Sequence, residues 1–257
     1  MKYIVTADTD IGISKETNQD SICVRVANTK VGQVVMAIIC DGMGGLSKGE
    51  VASATVIREF CTWFEQELPT KISKLNWQDI ADIWDKMLKN LNSKIMKYGK
   101  RNNENIGTTI TGMFIMNDKY MVVNVGDSRL YKINSTRSIK QLTEDQTLVQ
   151  QEIKRGNLTL SEAKKDPRRS VLLQCVGASK TVIPEIRFGK IENKCIYMLC
   201  SDGFRHEIEE DEIAEKLTPK IVNYKEIMHE NSLFLINAVK SRQEKDNISV
   251  ILIRTEE

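Results

Sequence analysis

Short apolar runs rich in β-branched residues punctuate the chain, and three longer stretches carry a helical stripe. The runs predict strands at Tyr3–Ala7, Ser21–Val26, Val34–Cys40, Thr108–Ile115, Tyr120–Val125, Leu130–Ile133, Cys195–Cys200 and Ile248–Arg254. Turn residues separate some of them at close range, such as "MNDK" at 116–119, so sequential antiparallel pairing is expected. From Val51 to Phe64 the apolar positions Val51, Ala52, Val56, Ile57, Phe60, Cys61 and Phe64 line up on one helix face. A second stripe runs through Trp77, Ile80, Trp84, Met87, Leu88, Leu91, Ile95 and Tyr98. A third spans about Lys225 to Lys240, through Ile227, Phe234, Leu235, Ala238 and Val239. Strands cluster early, in the middle and at the end, and two long helices follow the third strand. That order favours antiparallel sheets with helices segregated outside them over alternating βαβ units.

The 257 residues suffice for one well-cored domain, and no repeat, low-complexity tract or Pro/Gly/Ser-rich linker divides them. One domain spanning 1–257 is therefore expected, with monomer as the default. The net charge of +2 gives no reason to expect nucleic acid or an anionic membrane as partner. The longest apolar run, Val34–Cys40, is far shorter than the ~20 residues of a membrane helix. The N-terminal apolar stretch is too short for a signal-peptide core, so a cytoplasmic location is expected, with the six cysteines as reduced thiols. Only two histidines, His206 and His229, are present, which excludes a histidine-rich metal site. Neither a Cys-x5-Arg loop, a Gly-x-Ser-x-Gly turn nor the GxxxxGK[ST] phosphate loop occurs.

The informative residues are aspartates at strand ends. "VVMAIIC" runs into Asp41 and Gly42, "CIYMLCS" into Asp202 and Gly203, and "MVVNVG" into Asp127. Asp246 and Asn247 precede the last strand, and Asp20 precedes "SICVRV". Each Asp-Gly alone reads as an ordinary turn. Together, converging on one sheet mouth, they would repel at a cost of about 4 kcal/mol per close pair unless cations lay between them. An all-oxygen donor set selects hard ions such as Mg²⁺ or Mn²⁺. The glycines after Asp41 and Asp202 allow close backbone approach, so that a carbonyl can join the ligands.

Eight segments in order resemble the sequence blocks of the type 2C protein serine/threonine phosphatases. They are "TDIGISKETNQD" (9–20), "CDGMGG" (40–45), "GTTITG" (107–112), "VNVGDSRLY" (123–131), "LTEDQTLV" (142–149), "LLQCVG" (172–177), "LCSDGF" (199–204) and "DNISVILI" (246–253). The resemblance implies an α+β fold: two antiparallel sheets packed as a sandwich flanked by helices. It implies hydrolysis of phosphoserine and phosphothreonine by direct attack of water activated at a binuclear Mn²⁺ or Mg²⁺ centre. By position Asp41 would bridge the metals, Asp202 and Asp246 would complete one, the Gly42 carbonyl would serve the other, and Asp20 would hold metal-bound water. Asp127 matches the position of a third, weaker metal. The implied partners are phosphorylated proteins, substrates of a serine/threonine kinase.

Departures from the family pattern bear on activity. Lys15 stands where an arginine commonly binds substrate phosphate, and keeps the charge but not the two-pronged geometry. Gln19 replaces a common glutamate and would serve a metal only through water. Gln146 replaces a histidine and inherits no role. His206 reads as a surface residue. The segment at about 150–169 resembles the family's flap, with a helix cap at Thr159 or Ser161 before Glu162, and Arg168 and Arg169 available to acidic or phosphorylated partners. Two alternatives stay open: a pseudophosphatase that binds phosphoproteins or a kinase without turnover, and a small-molecule phosphoesterase on the same fold.

Overall fold

The computed structural model describes residues 2–44 and 48–256. Its strands in chain order are β1 (Lys2–Asp10), β2 (Ser21–Thr29), β3 (Gly32–Cys40), β4 (Gly42–Gly44), β5 (Ile106–Thr108), β6 (Ile110–Met116), β7 (Lys119–Val125), β8 (Arg129–Ile133), β9 (Ile139–Gln141), β10 (Glu185–Lys190), β11 (Ile196–Cys200) and β12 (Ile248–Glu256). The helices are α1 (Gly49–Thr62), α2 (Leu68–Lys71), α3 (Trp77–Asn102), α4 (Leu148–Lys154), α5 (Leu160–Lys165), α6 (Asp202–Arg205), α7 (Glu210–Leu217) and α8 (Lys225–Ser241). One five-stranded sheet has the order β1-β12-β11-β8-β9 and the other β10-β7-β6-β3-β2. Their strand pairings are all antiparallel, as the close turns suggest.

Alternation along β3 explains its unbroken apolar run. Val35, Ala37 and Ile39 pack with Tyr197, Leu199, Ile251 and Ile253 of the other sheet. Val34, Met36, Ile38 and Cys40 face the opposite way, onto Phe60 of α1 and Trp84 and Leu88 of α3. A strand buried on both faces carries no polar alternation. In the other sheet, Ile196, Met198 and Cys200 of β11 pack with Leu235 and Val239 of α8. The layers thus run helix, sheet, sheet, helix.

α3 starts on a capping box, with Asn76 accepting from the Gln78 and Asp79 N–H groups and Asp79 accepting from the Asn76 N–H. Trp84 and Phe60 meet edge to face, their ring centroids 4.8 Å apart, and a π-helical turn at Trp63–Glu67 brings Trp63 against both Trp84 and Phe114.

Two differences from the sequence reading have clear causes. The single strand expected over Thr108–Ile115 is split at Thr109, because β5 pairs with β4 while β6 pairs with β3. At the crossing the Thr109 N–H donates to the Asp41 carbonyl at 2.8 Å. The edge strand β10 was not anticipated: Phe188 is half exposed, so the strand lacks a buried apolar period. Gly45, in the "CDGMGG" block, lies outside the described residues.

Candidate active site

Register gathers the aspartates at one end of the sandwich. Ser21 pairs with Cys40, Ile39 with Thr111, Ile110 with Val125, and Cys200 with Val250. Asp20, Asp41, Asp127, Asp202 and Asp246 lie just beyond those pairs. Asp41, Gly42, Asp127, Asp202, Asp246 and Lys15 line a cavity of about 620 Å³. Asp20 lies behind it, its Oδ2 accepting from the Ser249 hydroxyl at 2.6 Å.

The two Asp-Gly pairs are places of close backbone approach. A Cβ on Gly42 would stand 2.5 Å from the carbonyl oxygens of Gln19 and Gly49, and one on Gly203 would stand 2.2 Å from that of Asn247. Any side chain there would push apart the segments that carry the aspartates. Asp41 is fixed on its backbone, its N–H donating to Thr109 Oγ1 at 3.0 Å and its carbonyl accepting from the Thr108 hydroxyl at 2.9 Å.

Asn247 is a positioning residue the sequence reading passed over. Its Oδ1 accepts from the Gln19 N–H at 2.9 Å, and its Nδ2 donates to the Ile11 carbonyl at 2.9 Å and the Thr17 carbonyl at 3.3 Å. It ties the loop carrying Lys15, Gln19 and Asp20 to the start of β12. Glu244 was missed as well. Its Oε1 accepts from the N–H groups of Lys245 and Asp246 at 2.7 and 2.9 Å, shaping the turn that presents Asp246. Burial opposes its charge, but His206 and those two N–H groups hold its carboxyl below the usual range. The only signal in the sequence was an acidic residue two positions before Asp246.

The electrostatics are those of crowded anions. Asp41 borders the cavity, yet its carboxyl is packed so tightly that burial pushes it well above the usual range, and Asp20, Asp202, Asp246 and Asp127 push it further. Burial raises Asp20 to about 7, against the hydrogen bonds from Ser249 and Ser201 and with help from Asp202 and Asp246. Asp127 also rises to about 7, first through burial and then through Asp202, with Arg205 opposing. Asp20 Oδ1 and Asp202 Oδ1 are buried without a hydrogen-bond partner. Buried carboxylate oxygens rarely go unsatisfied. Among the described residues no three His, Cys, Asp or Glu side chains stand, as placed, in an arrangement that could hold a metal ion. The orphaned oxygens and the oxygen-rich donor set suit hard divalent cations.

The remaining candidates separate cleanly. Lys15 reaches the cavity and pairs with Asp246 Oδ1 at 2.8 Å. Burial works against its charge, but Asp246, Asp41 and Asp202 together raise its pKa. Gln19 lines the cavity, while its carbonyl accepts from Gly42 N–H and from Ser53 Oγ. His206 is not a surface residue: it lies between Asp202 and Glu244, 3.6 Å from each carboxylate, in the cavity wall. Gln146 turns out to be structural, its Oε1 accepting from the Gly126 N–H at 2.9 Å just before Asp127.

Beside the cavity, α4 and α5 occupy the segment expected to be a flap. The cap falls on Thr159, in a capping box with Glu162. Arg168 is held by Asp166 at 2.8 Å, whereas Arg169 reaches the cavity wall.

The arrangement has counterparts in known proteins. The protein phosphatase 2C family model matches residues 13–235. A serine/threonine phosphatase stp of Listeria monocytogenes is 28% identical over 247 residues, covering 95% of this chain and 93% of that protein. The solved serine/threonine phosphatase of S. agalactiae superposes with a TM-score of 0.83 at 27% identity, over 99% of this chain and 100% of that one. The catalytic domain of the phosphatase PstP, solved in complex with 2 manganese ions, shares the fold with a TM-score of 0.78 at 24% identity, over 99% of each chain. Fold and relatives together define a metal-dependent phosphatase of protein serine and threonine residues. The chain belongs to the protein phosphatase 2C family.

Proposed function

We propose that this chain hydrolyses phosphoserine and phosphothreonine in proteins by direct attack of water, with a pair of Mn²⁺ or Mg²⁺ ions held by Asp41, Asp202, Asp246 and the Gly42 carbonyl. The observation that carries this is the convergence of carboxylates from distant segments on one cavity, with buried oxygens of Asp20 and Asp202 left unpartnered. Divalent cations held there lower the pKa of a water molecule and neutralise charge on phosphoryl oxygens.

This chain's residues do the rest. Asp41 lines the cavity together with Asp202, Asp246 and Gly42 and would serve both ions. Asp20 is anchored by Ser249, and its unpartnered Oδ1 would accept from ordered water. Lys15 provides a cation for the substrate's phosphate, and Arg169 faces the cavity from the segment at 150–169, which serves as a flap. With His206 packed between Asp202 and Glu244, its work is to orient Asp202.

The substrates are phosphorylated proteins, products of a serine/threonine kinase. The open, polar cavity suits a phosphorylated side chain on a polypeptide better than an enclosed small molecule. In this reading the chain acts as a cytoplasmic monomer. The deciding assay is phosphate release from phosphothreonine peptides against small phosphomonoesters. Release should require Mn²⁺ or Mg²⁺, stop with EDTA, favour the peptides, and fall by orders of magnitude in Asp202→Asn. Turnover that survives chelation overturns the metal reading. Preference for small esters overturns the substrate class, and Mn²⁺ binding without turnover leaves a pseudophosphatase.

A further inference from the structure

Asp127 already has a cation. Arg205, three residues after Asp202 on α6, turns its guanidinium onto it. Nη2 donates to the Asp127 carbonyl oxygen at 3.0 Å and lies 3.4 Å from Asp127 Oδ2. The same nitrogen is 3.7 Å from Asp145 Oδ2. Asp145 is in turn gripped by Arg129 through both prongs, at 2.8 and 2.7 Å, and by Gln141 Nε2 at 2.9 Å. Arg129 also donates to the Tyr131 hydroxyl at 2.6 Å. Asp127, Asp145, Arg129 and Arg205 thus form one cluster of two acids and two guanidinium groups, and all four side chains are largely buried, Arg205 being 12% and Asp127 6% exposed.

That arrangement does not fit a third divalent ion. Such an ion needs the carboxylate that faces Arg205, and would enter directly beside that guanidinium's positive charge. Swinging Arg205 aside would leave a buried guanidinium without its carboxylates, which is strongly unfavourable. We infer that the Arg205 guanidinium is the resident cation at Asp127, standing where the family resemblance would put a third, weaker metal, so that this chain works with a metal pair alone. The inference rests on the binuclear reading above. It assigns Arg205 a positioning role: it fixes the Asp127 loop and shields the Asp202 side of the cavity from an additional ion.

The test is metal occupancy, independent of turnover. Crystals of the wild type soaked in millimolar Mn²⁺ should show anomalous peaks at Asp41, Asp202 and Asp246 and none within ligand distance of Asp127. Equilibrium dialysis should find one more Mn²⁺ per chain in Arg205→Leu than in the wild type, and that gain should vanish in the Arg205→Leu, Asp127→Asn double variant. Arg205→Lys, which keeps the charge, should behave as the wild type. A manganese peak on Asp127 in the wild type, with Arg205 swung away, overturns the inference whatever the variants do. So does a folded Arg205→Leu, checked by its melting transition, that binds no additional ion. A wild type that takes up no manganese at all defeats the binuclear reading itself, and this inference with it.

Discussion

Two groups of buried aspartates sit at the same end of this sandwich and have opposite electrostatic fates. Asp145 is packed between Arg129 and Arg205, and although burial alone would raise its carboxyl, those guanidinium groups hold it below the usual range. Asp41 is just as enclosed, but its neighbours are Asp20, Asp202, Asp246 and Asp127, and its carboxyl rises well above that range. The residue type and the burial are alike; the neighbours differ. Where the chain supplies its own cations, a buried acid is structural. Where it withholds them, the charge has to come from solution.

The sharpest way to break this contrast is to remove one acid from the uncompensated group. Asp41→Asn should lower phosphate release by about a thousandfold or more, since it removes a carboxylate proposed above to hold the metal pair. The same change relieves repulsion, so the EDTA-treated variant should melt higher than EDTA-treated wild type. A variant that loses activity and also melts lower without metal would contradict the idea of unmet charge.

The pH dependence of the metal-free protein probes the whole group. Asp20 stands at about 7 in the fold, against about 3.9 for an unfolded aspartate. A carboxyl raised by folding binds more protons in the native state between those two values. Its stabilising contribution is therefore present at low pH and is lost as pH rises from about 4 through 7. Each such group contributes on the order of a few kcal/mol. In EDTA, the melting temperature should fall between pH 5 and pH 8. Mn²⁺ should restore it at pH 8 and do less at pH 5, where protons compete for the ligands. A flat profile in EDTA would show that folding does not raise these carboxyls.

The compensated group answers to a different change. Asp145→Ala leaves Arg129 buried without its two-pronged partner and should cost about 3 kcal/mol in denaturant unfolding. Mn²⁺ affinity, measured by calorimetry on the folded variant, should change little. A loss of metal binding as large as that of Asp41→Asn would merge the two groups into one.

How much of this could be read from the chain depends on which residues are concerned. Val34–Cys40 was legible as a strand because both its faces are buried, and the acids at strand ends were legible because turn residues interrupt apolar runs there. Their convergence was not, since it follows from pairings such as Ser21 with Cys40 and Cys200 with Val250, which no local pattern encodes. Asn247 stood in the sequence only as a residue before the last strand, although its side chain spans some 230 positions to reach Gln19, Ile11 and Thr17. Arg205 and Asp145 gave no signal either, because an ion pair between distant residues leaves no periodicity. The helices α4 to α7 run only one or two turns, too few to establish an apolar stripe.

The smallest expected effect concerns Lys15, which pairs with Asp246 of the uncompensated group. Lys15 is half exposed and holds Asp246 at 2.8 Å, so two roles compete: a phosphate contact, or a substitute counter-ion for Asp246. They predict different constants. If Lys15 meets phosphate, Lys15→Ala should raise KM for a phosphothreonine peptide by about tenfold, the scale of one charge-assisted hydrogen bond, with kcat nearly unchanged. Lys15→Arg should then lower KM severalfold, because a guanidinium can grip two phosphoryl oxygens where an ammonium offers a point charge. If Lys15 only balances Asp246, Lys15→Ala should instead tighten Mn²⁺ binding, by freeing that carboxylate, and leave KM alone at saturating metal. Measuring both constants on both variants separates the roles, and a KM unmoved by either substitution removes Lys15 from substrate binding.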